Sequence, residues 1–329
     1  ALNRHQPGQR QSLIKFTECL TRIPNSLFNA KDDTMNDSVA LSKFDSLIEK
    51  NLVFFDERQQ IVQHNDKGLK FQFILTSALA RKPTFEVNPD GAEQQVDNAI
   101  DQVRDGSDIN TTGYEMCDVG KTHFLATNKF CFARPHLMLL TSDGNKRQYE
   151  PLDQNDWQAL NNVLADLGDD YVAFFNCGQD GGCSRLHKHM QLIPKPKDSF
   201  AAFLDIEDGV EPDVPFQWFY HRFESPSLDS KELFGIYNKL LQKATEAGKD
   251  QSEHADSLPA GAAIPHNMLV TNQWMIVLPR RRAAVNKKAG ANSIGMMGVI
   301  AVATQEETDN WISIGPIEAL KELGVPKIL

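Results

Sequence analysis

The chain has 329 residues, of which 41% are hydrophobic, so it can form one large domain or two ordinary ones with a sizeable core. Its net charge of −10 and its pI near 5.4 argue against a general nucleic-acid binder and against a basic membrane-surface protein. The N-terminus lacks an apolar signal core, and no stretch reaches the roughly 18 apolar residues of a membrane span.

The cysteine content indicates the redox compartment. Five cysteines are an odd number, and none of them forms a Cys-x-x-Cys pair, so neither a disulfide framework nor a four-thiolate zinc site is indicated. We therefore expect a soluble, cytoplasmic protein in a reducing compartment, with no nucleic-acid or membrane partner.

Hydrophobic spacing and turn residues predict the elements in chain order. Helices are expected at 12–20 and 38–50, and a strand at 71–79. The acidic segment 86–113 is typical of a loop or an insertion. The remaining predicted elements are strands at 122–132, 137–140, 171–175, 187–193, 216–223 and 299–303, a hairpin at 267–270 and 274–278, and helices after Asp153, at 230–246 and at 316–323.

These elements alternate without a regular βαβ rhythm, and tight turns join several of the strands. That pattern favours an α+β fold, built on an antiparallel sheet flanked by helices, over a doubly wound sheet. No linker is evident, so we expect residues 1–329 to form a single structural unit.

One polar run carries chemistry. His187, His189 and Gln191 recur at every second position, so in a strand their side chains share one face. A solvent-facing side of a strand carries such polar residues for solubility alone about as often as it carries them for a function. The preceding segment 176–184 has three glycines, whose backbone N–H groups can turn toward an anion. Ser184 and Arg185 supply groups that bind phosphate oxygens, which together suggests phosphoryl or nucleotidyl transfer.

Asn176, Gly182-Cys183-Ser184-Arg185 and His187-Lys188-His189-Met190-Gln191 resemble the active-site segment of the diadenosine tetraphosphate phosphorylases, also called ATP adenylyltransferases. These enzymes belong to the superfamily of histidine-triad proteins and galactose-1-phosphate uridylyltransferases. Other stretches between residues 80 and 325 are similar to the family as well, namely 128–130, 135–136, 267–280 and 290–295.

The resemblance implies a histidine-triad-like fold and a two-step reaction. His189 would attack the α-phosphorus to form an adenylyl-histidine, and inorganic phosphate would then release it, so that diadenosine tetraphosphate becomes ATP and ADP. Residues 70–200 would form the nucleophile-bearing half with the phosphate loop, and residues 201–329 would complete the nucleotide pocket. We expect Mg²⁺ to accompany the nucleotide, no organic cofactor and no resident metal.

The resemblance also assigns residues. His189, Gln191 and His187 would be the catalytic set, and Arg185 with Lys188 would offset the charge of the polyphosphate. The positions that would contact substrate are Lys82, Asn128, Lys129, Asn176, Gly182, Cys183, Ser184, Arg185, Asn292, Ser293 and Ile294.

Alternatives remain open at this point. A uridylyltransferase would use the same chemistry but normally has proline where Lys188 stands. A metal hydrolase would use His187 and His189 as zinc ligands, yet no third ligand stands at a diagnostic spacing. A non-catalytic nucleotide-binding module is the third possibility. Lys188 also lies on the strand face predicted to be apolar, which the alternation does not explain.

Overall fold

The computed structural model describes residues 36–82, 103–225 and 229–327. The helix predicted at 12–20 and the acidic segment before residue 103 lie outside these ranges. The described helices are α1 (Asp37–Glu49), α2 (Ser77–Ala80), α3 (Gln154–Leu167), α4 (Ser230–Gly248), α5 (Ser293–Met296), α6 (Gln305–Ile314) and α7 (Pro316–Leu323), with 3₁₀ turns at Phe200–Asp205 and Ala255–Ser257.

The described strands are β1 (Phe54–Phe55), β2 (Gln60–Asp66), β3 (Leu69–Leu75), β4 (Glu115–Val119), β5 (His123–Thr127), β6 (Phe130–Cys131), β7 (Leu137–Thr141), β8 (Tyr171–Cys177), β9 (His189–Pro194), β10 (Phe219–Arg222), β11 (His266–Val270), β12 (Trp274–Pro279), β13 (Ala284–Asn286), β14 (Ala289–Gly290) and β15 (Val299–Val302). No helix in the described ranges is long and apolar enough to cross a membrane.

An eight-stranded sheet organises the molecule, in the order β10-β12-β11-β8-β9-β7-β5-β4. Every neighbouring pair in it is antiparallel. This confirms the predicted α+β fold with an antiparallel sheet. Strands β8 and β9 are neighbours, as expected, so the glycine-rich loop between them connects two central strands.

Different layers cover the two faces of this sheet. Helices α3 and α4 pack on one face through residues such as Trp157, Leu160 and Tyr237. The other face is covered by the three-stranded sheet β15-β3-β2 together with α5, α6 and α7. In that smaller sheet β15 pairs in parallel with β3.

Local signals set several of these boundaries. Asp153 caps α3 with a complete capping box, and Gly168 ends the helix at φ 89°. The predicted strand 71–79 ends early, at Leu75, because Thr76 caps the short helix α2. The strand predicted from residue 187 begins at His189, since His187 forms only an isolated bridge with Arg147.

Candidate active site

His189 lies at the first position of β9 with its imidazole in a defined orientation. Its Nδ1 is 2.7 Å from the carbonyl oxygen of His187. A carbonyl oxygen only accepts, so Nδ1 carries the proton and Nε2 keeps its lone pair. The residue is 7% exposed, and burial lowers its pKa to about 4. His189 is therefore a neutral imidazole at pH 7, with Nε2 as its nucleophilic atom.

His187 is fully buried, and both of its ring nitrogens are engaged. Nε2 donates to the carbonyl oxygen of Thr141 at 2.9 Å. Nδ1 lies 2.8 Å from the Ser107 hydroxyl and accepts from it. Burial lowers the pKa of His187, so this ring is also neutral. With no free nitrogen, His187 orients its neighbour, and it is unavailable as a metal ligand or as the attacking group.

The side-chain oxygen of Gln191 accepts two hydrogen bonds. They come from His136 Nε2 at 2.8 Å and from Asn128 Nδ2 at 3.2 Å. These two hydrogen bonds fix the orientation of the Gln191 amide, whose Nε2 carries two N–H donors. Burial lowers the pKa of His136 to about 4, which keeps that ring neutral. Although 135–136 was matched to the family, the sequence did not assign this orienting role to His136.

Lys188 does not face the site. Its ammonium lies 2.6 Å from the Asp156 carboxylate and 2.7 Å from the carbonyl oxygen of Pro151, below helix α3. Asp156 also lies 2.9 Å from His123 Nε2. The expectation that Lys188 offsets polyphosphate charge is therefore wrong, because strand alternation sends it to the opposite face. It follows the predicted alternation and is accommodated among apolar residues by a buried ion pair.

The phosphate loop, residues 178–184, is built on close backbone approaches. Gly182 has φ +84°, and a Cβ there would lie 2.9 Å from the carbonyl oxygen of Ala291. A Cβ on Gly181 would lie 2.1 Å from the carbonyl oxygen of Cys177. Only glycine fits at these two positions. The loop therefore packs directly against the segment 290–295, which is called the second loop below.

Several predicted phosphate ligands meet beside this loop. Lys82 Nζ donates to Ser184 Oγ at 3.3 Å. Desolvation by the surrounding protein lowers the pKa of Lys82, and the charge of Arg185 lowers it further. The charge of Arg185 thus disfavours the charged form of Lys82, and a bound anion would offset this repulsion. Burial raises the pKa of Cys183 to about 12, so its side chain is a thiol at pH 7.

A buried polar network joins β8, the strand that leads into the phosphate loop, to the second loop. The Asn176 side-chain oxygen accepts from Ser293 N at 2.8 Å and from Ser293 Oγ at 2.6 Å. Asn292 caps α5 by accepting from Gly295 N at 3.0 Å, and Ile294 is buried. Asn176 and Ser293 are thus engaged with each other, and they join β8 to the first residue of α5.

Arg280 is the centre of that network and is 1% exposed. All five of its N–H groups are hydrogen-bonded to oxygen atoms. The acceptors are the carbonyl oxygens of Gly181, Arg282, Ala291 and Leu323 and the side-chain oxygen of Asn267. Burial lowers its pKa to about 9. The resemblance of 267–280 to the family did not assign Arg280 this role of joining the two loops.

The last predicted contact, Lys129, lies at the edge of the site next to Asn128. Its ammonium is 5.9 Å from the centre of the Phe130 ring, and its carbonyl oxygen accepts from Phe54 N at 2.8 Å. The pair β1 and β6 thus fixes the backbone that carries Asn128 and Lys129.

One described trio of metal-ligating side chains lies near the loop, Asp180, Glu253 and His254. Asp180 accepts from Ser252 Oγ at 2.7 Å, from His254 N at 3.0 Å and from the His254 ring at 2.7 Å. These hydrogen bonds attach Asp180, and with it the phosphate loop, to residues 252–254. It includes neither His187 nor His189, so the geometry gives no support to the metal-hydrolase alternative.

Comparison with known proteins covers nearly the whole chain. Residues 28–211 match the family model of the Ap4A phosphorylase N-terminal domain, and residues 212–326 match that of the ATP adenylyltransferase C-terminal domain. The chain is 28% identical over 268 residues to diadenosine 5',5'''-P1,P4-tetraphosphate phosphorylase 2 of Saccharomyces cerevisiae, covering 73% of this chain and 78% of that protein.

Solved structures show the same fold. The crystal structure of yeast Ap4A phosphorylase Apa2 superposes with a TM-score of 0.69 at 21% identity, over 91% of this chain and 100% of that chain. Its complex with Ap4A gives a TM-score of 0.68 at 21% identity, over 89% and 98% of the two chains. At this identity the likeness establishes the architecture, and it agrees with the predicted fold.

Proposed function

This chain belongs to the Ap4A phosphorylase family, and on that premise we propose that it cleaves diadenosine tetraphosphate (Ap4A) with inorganic phosphate to give ATP and ADP. The His-x-His-x-Gln run predicts this family, and the domain models matching 28–211 and 212–326 confirm it. They also confirm the predicted class of enzyme, a transferase.

The observation that carries the mechanism is the orientation of His189. Because Nδ1 donates to the His187 carbonyl oxygen at 2.7 Å, the lone pair is on Nε2. In the first step Nε2 attacks an α-phosphorus of Ap4A. The N–P bond forms as the bridging P–O bond breaks, which transfers AMP to His189 and releases ATP.

In the second step an oxygen of inorganic phosphate attacks the same phosphorus. The new P–O bond forms as the N–P bond breaks, so ADP leaves and His189 recovers its neutral imidazole. In the first step the attacking group is a neutral imidazole instead of an anion, which lowers its repulsion from the polyphosphate; in the second step the imidazole is a good leaving group. Where hydrolases of the superfamily carry a third histidine, Gln191 offers N–H donors for the non-bridging oxygens, and one such donor is worth about 3 kcal/mol in comparable sites.

Charge and loop geometry support polyphosphate as the substrate group. Lys82 and Ser184 lie 3.3 Å apart, and Arg185 is close enough to lower the pKa of Lys82. We propose that Mg²⁺ reaches this cluster as part of the nucleotide substrate and that no organic cofactor takes part. In this proposal residues 70–200 supply the nucleophile, and residues 201–329 supply Arg280 and Ser293 to shape the pocket.

We further propose a cytoplasmic location. The four cysteines in the described ranges are all free thiols, and two of them, Cys131 and Cys177, are buried. Free thiols are maintained in reducing compartments.

The test is to incubate the protein with Ap4A and Mg²⁺, with and without phosphate, and to separate the nucleotides. His189→Ala is the test variant, and His221→Ala, an exposed histidine on edge strand β10, is its matched control. We expect phosphate-dependent ATP and ADP from the wild type and the control and none from His189→Ala. AMP formed without phosphate would identify a hydrolase, and turnover of a UDP-sugar in place of Ap4A would identify a uridylyltransferase.

A further inference from the structure

The described end of the acidic segment contacts the backbone that leads into β9. Asp108 Oδ2 accepts from Leu186 N at 2.8 Å, and Asp108 Oδ1 accepts from His187 N at 2.9 Å. The preceding residue, Ser107, places its hydroxyl 2.8 Å from His187 Nδ1. Two consecutive residues therefore hold both the main chain and the ring of His187, across 79 residues of sequence.

The geometry of His187 contributes to that of His189, whose own N–H donates to Gln148 Oε1 at 2.8 Å. The N–H of His187 is fixed by Asp108, and its ring is fixed between Ser107 and Thr141. The carbonyl oxygen of His187 belongs to the following peptide unit, whose N–H, that of Lys188, donates to the Lys146 carbonyl oxygen at 3.0 Å. That carbonyl oxygen of His187 accepts from His189 Nδ1 at 2.7 Å. Asp108 and Ser107 thus help to set the direction in which Nε2 points, although neither contacts the His189 ring in the described contacts.

Charge adds to this positioning. When Nε2 of His189 bonds to phosphorus, Nδ1 keeps its proton and the ring becomes positively charged. Burial does most to lower the pKa of His189, the hydrogen bond to the His187 carbonyl oxygen raises that pKa, and positive charge on His187 or Lys82 lowers it. The carboxylate of Asp108 acts in the opposite sense and favours positive charge on that ring.

We propose that Asp108 and Ser107 are positioning residues for adenylyl transfer, with Asp108 also stabilising the cationic adenylyl-imidazole. The inference rests on the proposed function, because it takes His189 as the nucleophile. Asp108 acts through His187 and through space, and in this role it makes no contact with the nucleotide. It gives Ser107 and Asp108, in the described part of the acidic segment 86–113, a role at the site.

The test variants are Asp108→Asn and Ser107→Ala. Asp105→Asn is the control, because Asp105 is an exposed carboxylate of the same segment. Ser107→Thr is the conservative variant, since it keeps the hydroxyl. Three quantities are measured well below each variant's Tm: kcat and KM for Ap4A, the rate of enzyme adenylylation in a single turnover without phosphate, and the fraction of enzyme adenylylated at equilibrium.

We expect Asp108→Asn to lower kcat by about 10- to 100-fold with KM within about twofold, the range seen when orienting partners are removed. The adenylylated fraction should fall as well, because the cationic state loses its counter-charge. Ser107→Ala should slow adenylylation, and Ser107→Thr and Asp105→Asn should match the wild type.

Two results would overturn the proposal. One is a drop in Tm for Asp108→Asn with kcat and the adenylylated fraction unchanged, which is what a purely structural carboxylate gives. The second result applies if Asp108→Asn does not fold. In that case, adenylylation of Ser107→Ala at the wild-type rate would overturn the proposal. A wild-type protein that forms no ATP and ADP from Ap4A and phosphate would instead reject the proposed function itself.

Discussion

The ammonium of Lys188 lies 2.6 Å from the Asp156 carboxylate, on the opposite side of β9 from the chemistry of His189. Both side chains are nearly inaccessible, at 3% and 2% exposure, and His123 is the third member of the cluster. Burial acts to raise the pKa of Asp156, but the hydrogen bond from His123 and the charge of Lys188 outweigh it and lower that pKa. His189, at the start of β9, and Lys188, the lysine of a buried ion pair, are thus adjacent residues.

Replacing Lys188 by Met should destabilise the protein strongly. The change leaves the Asp156 carboxylate buried without its cation, and breaking such a pair costs about 3–5 kcal/mol. Urea unfolding measures this loss. The double variant Lys188→Met with Asp156→Leu should recover part of it, because no uncompensated charge then remains. The exposed pair of Lys67 with Glu318 provides the control, and Lys67→Met should leave stability unchanged. A single variant as stable as wild type would contradict the assignment.

The tight contact at Gly182 predicts a selective loss of substrate binding. Gly182→Ala adds left-handed strain and places a Cβ 2.9 Å from the Ala291 carbonyl oxygen, so the two loops must separate. Gly120 also has a positive φ, of +64°, but no atom lies within 4 Å of its Cβ position. We expect KM for Ap4A to rise about tenfold in Gly182→Ala, equivalent to about 1.4 kcal/mol, and to stay unchanged in Gly120→Ala. Equal KM values in the two variants would show that the contact between Gly182 and Ala291 does not affect the binding of Ap4A.

Arg280→Lys should weaken both the fold and the pocket. Lysine keeps the charge but cannot reproduce five N–H bonds in a planar arrangement. Hydrogen bonds from charged groups contribute about 1.5–3 kcal/mol each, so a loss of at least about 3 kcal/mol is expected in urea unfolding. The stabilisation by Ap4A in a thermal shift assay should shrink too. Arg282→Lys, at a side chain 34% exposed, should behave as wild type. An undiminished shift in Arg280→Lys would show that the junction is not needed for binding.

Three buried histidines predict how stability depends on pH. Burial lowers the pKa of His136, His189 and His266 to about 4, against about 6.5 for an unfolded chain. Between these values the unfolded state binds more protons, so stability falls as the pH is lowered from 6.5 to 4. By pH 4 each histidine costs on the order of 3 kcal/mol.

His136→Gln tests this dependence because it removes one of the three groups. Free energies of unfolding at pH 7.5, 6.0 and 5.0 should fall less steeply in this variant than in wild type. The exposed His221→Gln should retain the wild-type slope. Identical slopes for all three proteins would contradict the protonation argument.

Local signals were sufficient for much of the fold. Helix α7 follows its prediction at 316–323 because Pro316 stands in its first turn and Gly324 follows its end. The core-facing helix α3 was similarly marked by Asp153 and Gly168. Helix α6 was missed because only Thr308 and Trp311 in it are buried, which leaves little apolar periodicity.

In the site, too, local features were predictable from the sequence and long-range contacts were not. Alternation correctly separates the side chain of His189, the first residue of β9, from that of Lys188 before it, and the glycines correctly mark the loop between β8 and β9. No sequence pattern could join Ser107 to His187 or Arg280 to Gly181, since these pairs are 80 and 99 residues apart and meet only in the folded chain. Such long-range partners decide which histidine has a free nitrogen.

The most direct measurement of the central claim is to trap the adenylyl-histidine. The protein is incubated with Ap4A in the absence of phosphate, digested, and mapped by mass spectrometry under basic conditions that preserve a phosphorus–nitrogen bond. The account predicts AMP on His189, and its discharge as ADP when phosphate is added. AMP on another residue, or phosphorolysis by an enzyme that carries no AMP at any stage, would contradict it.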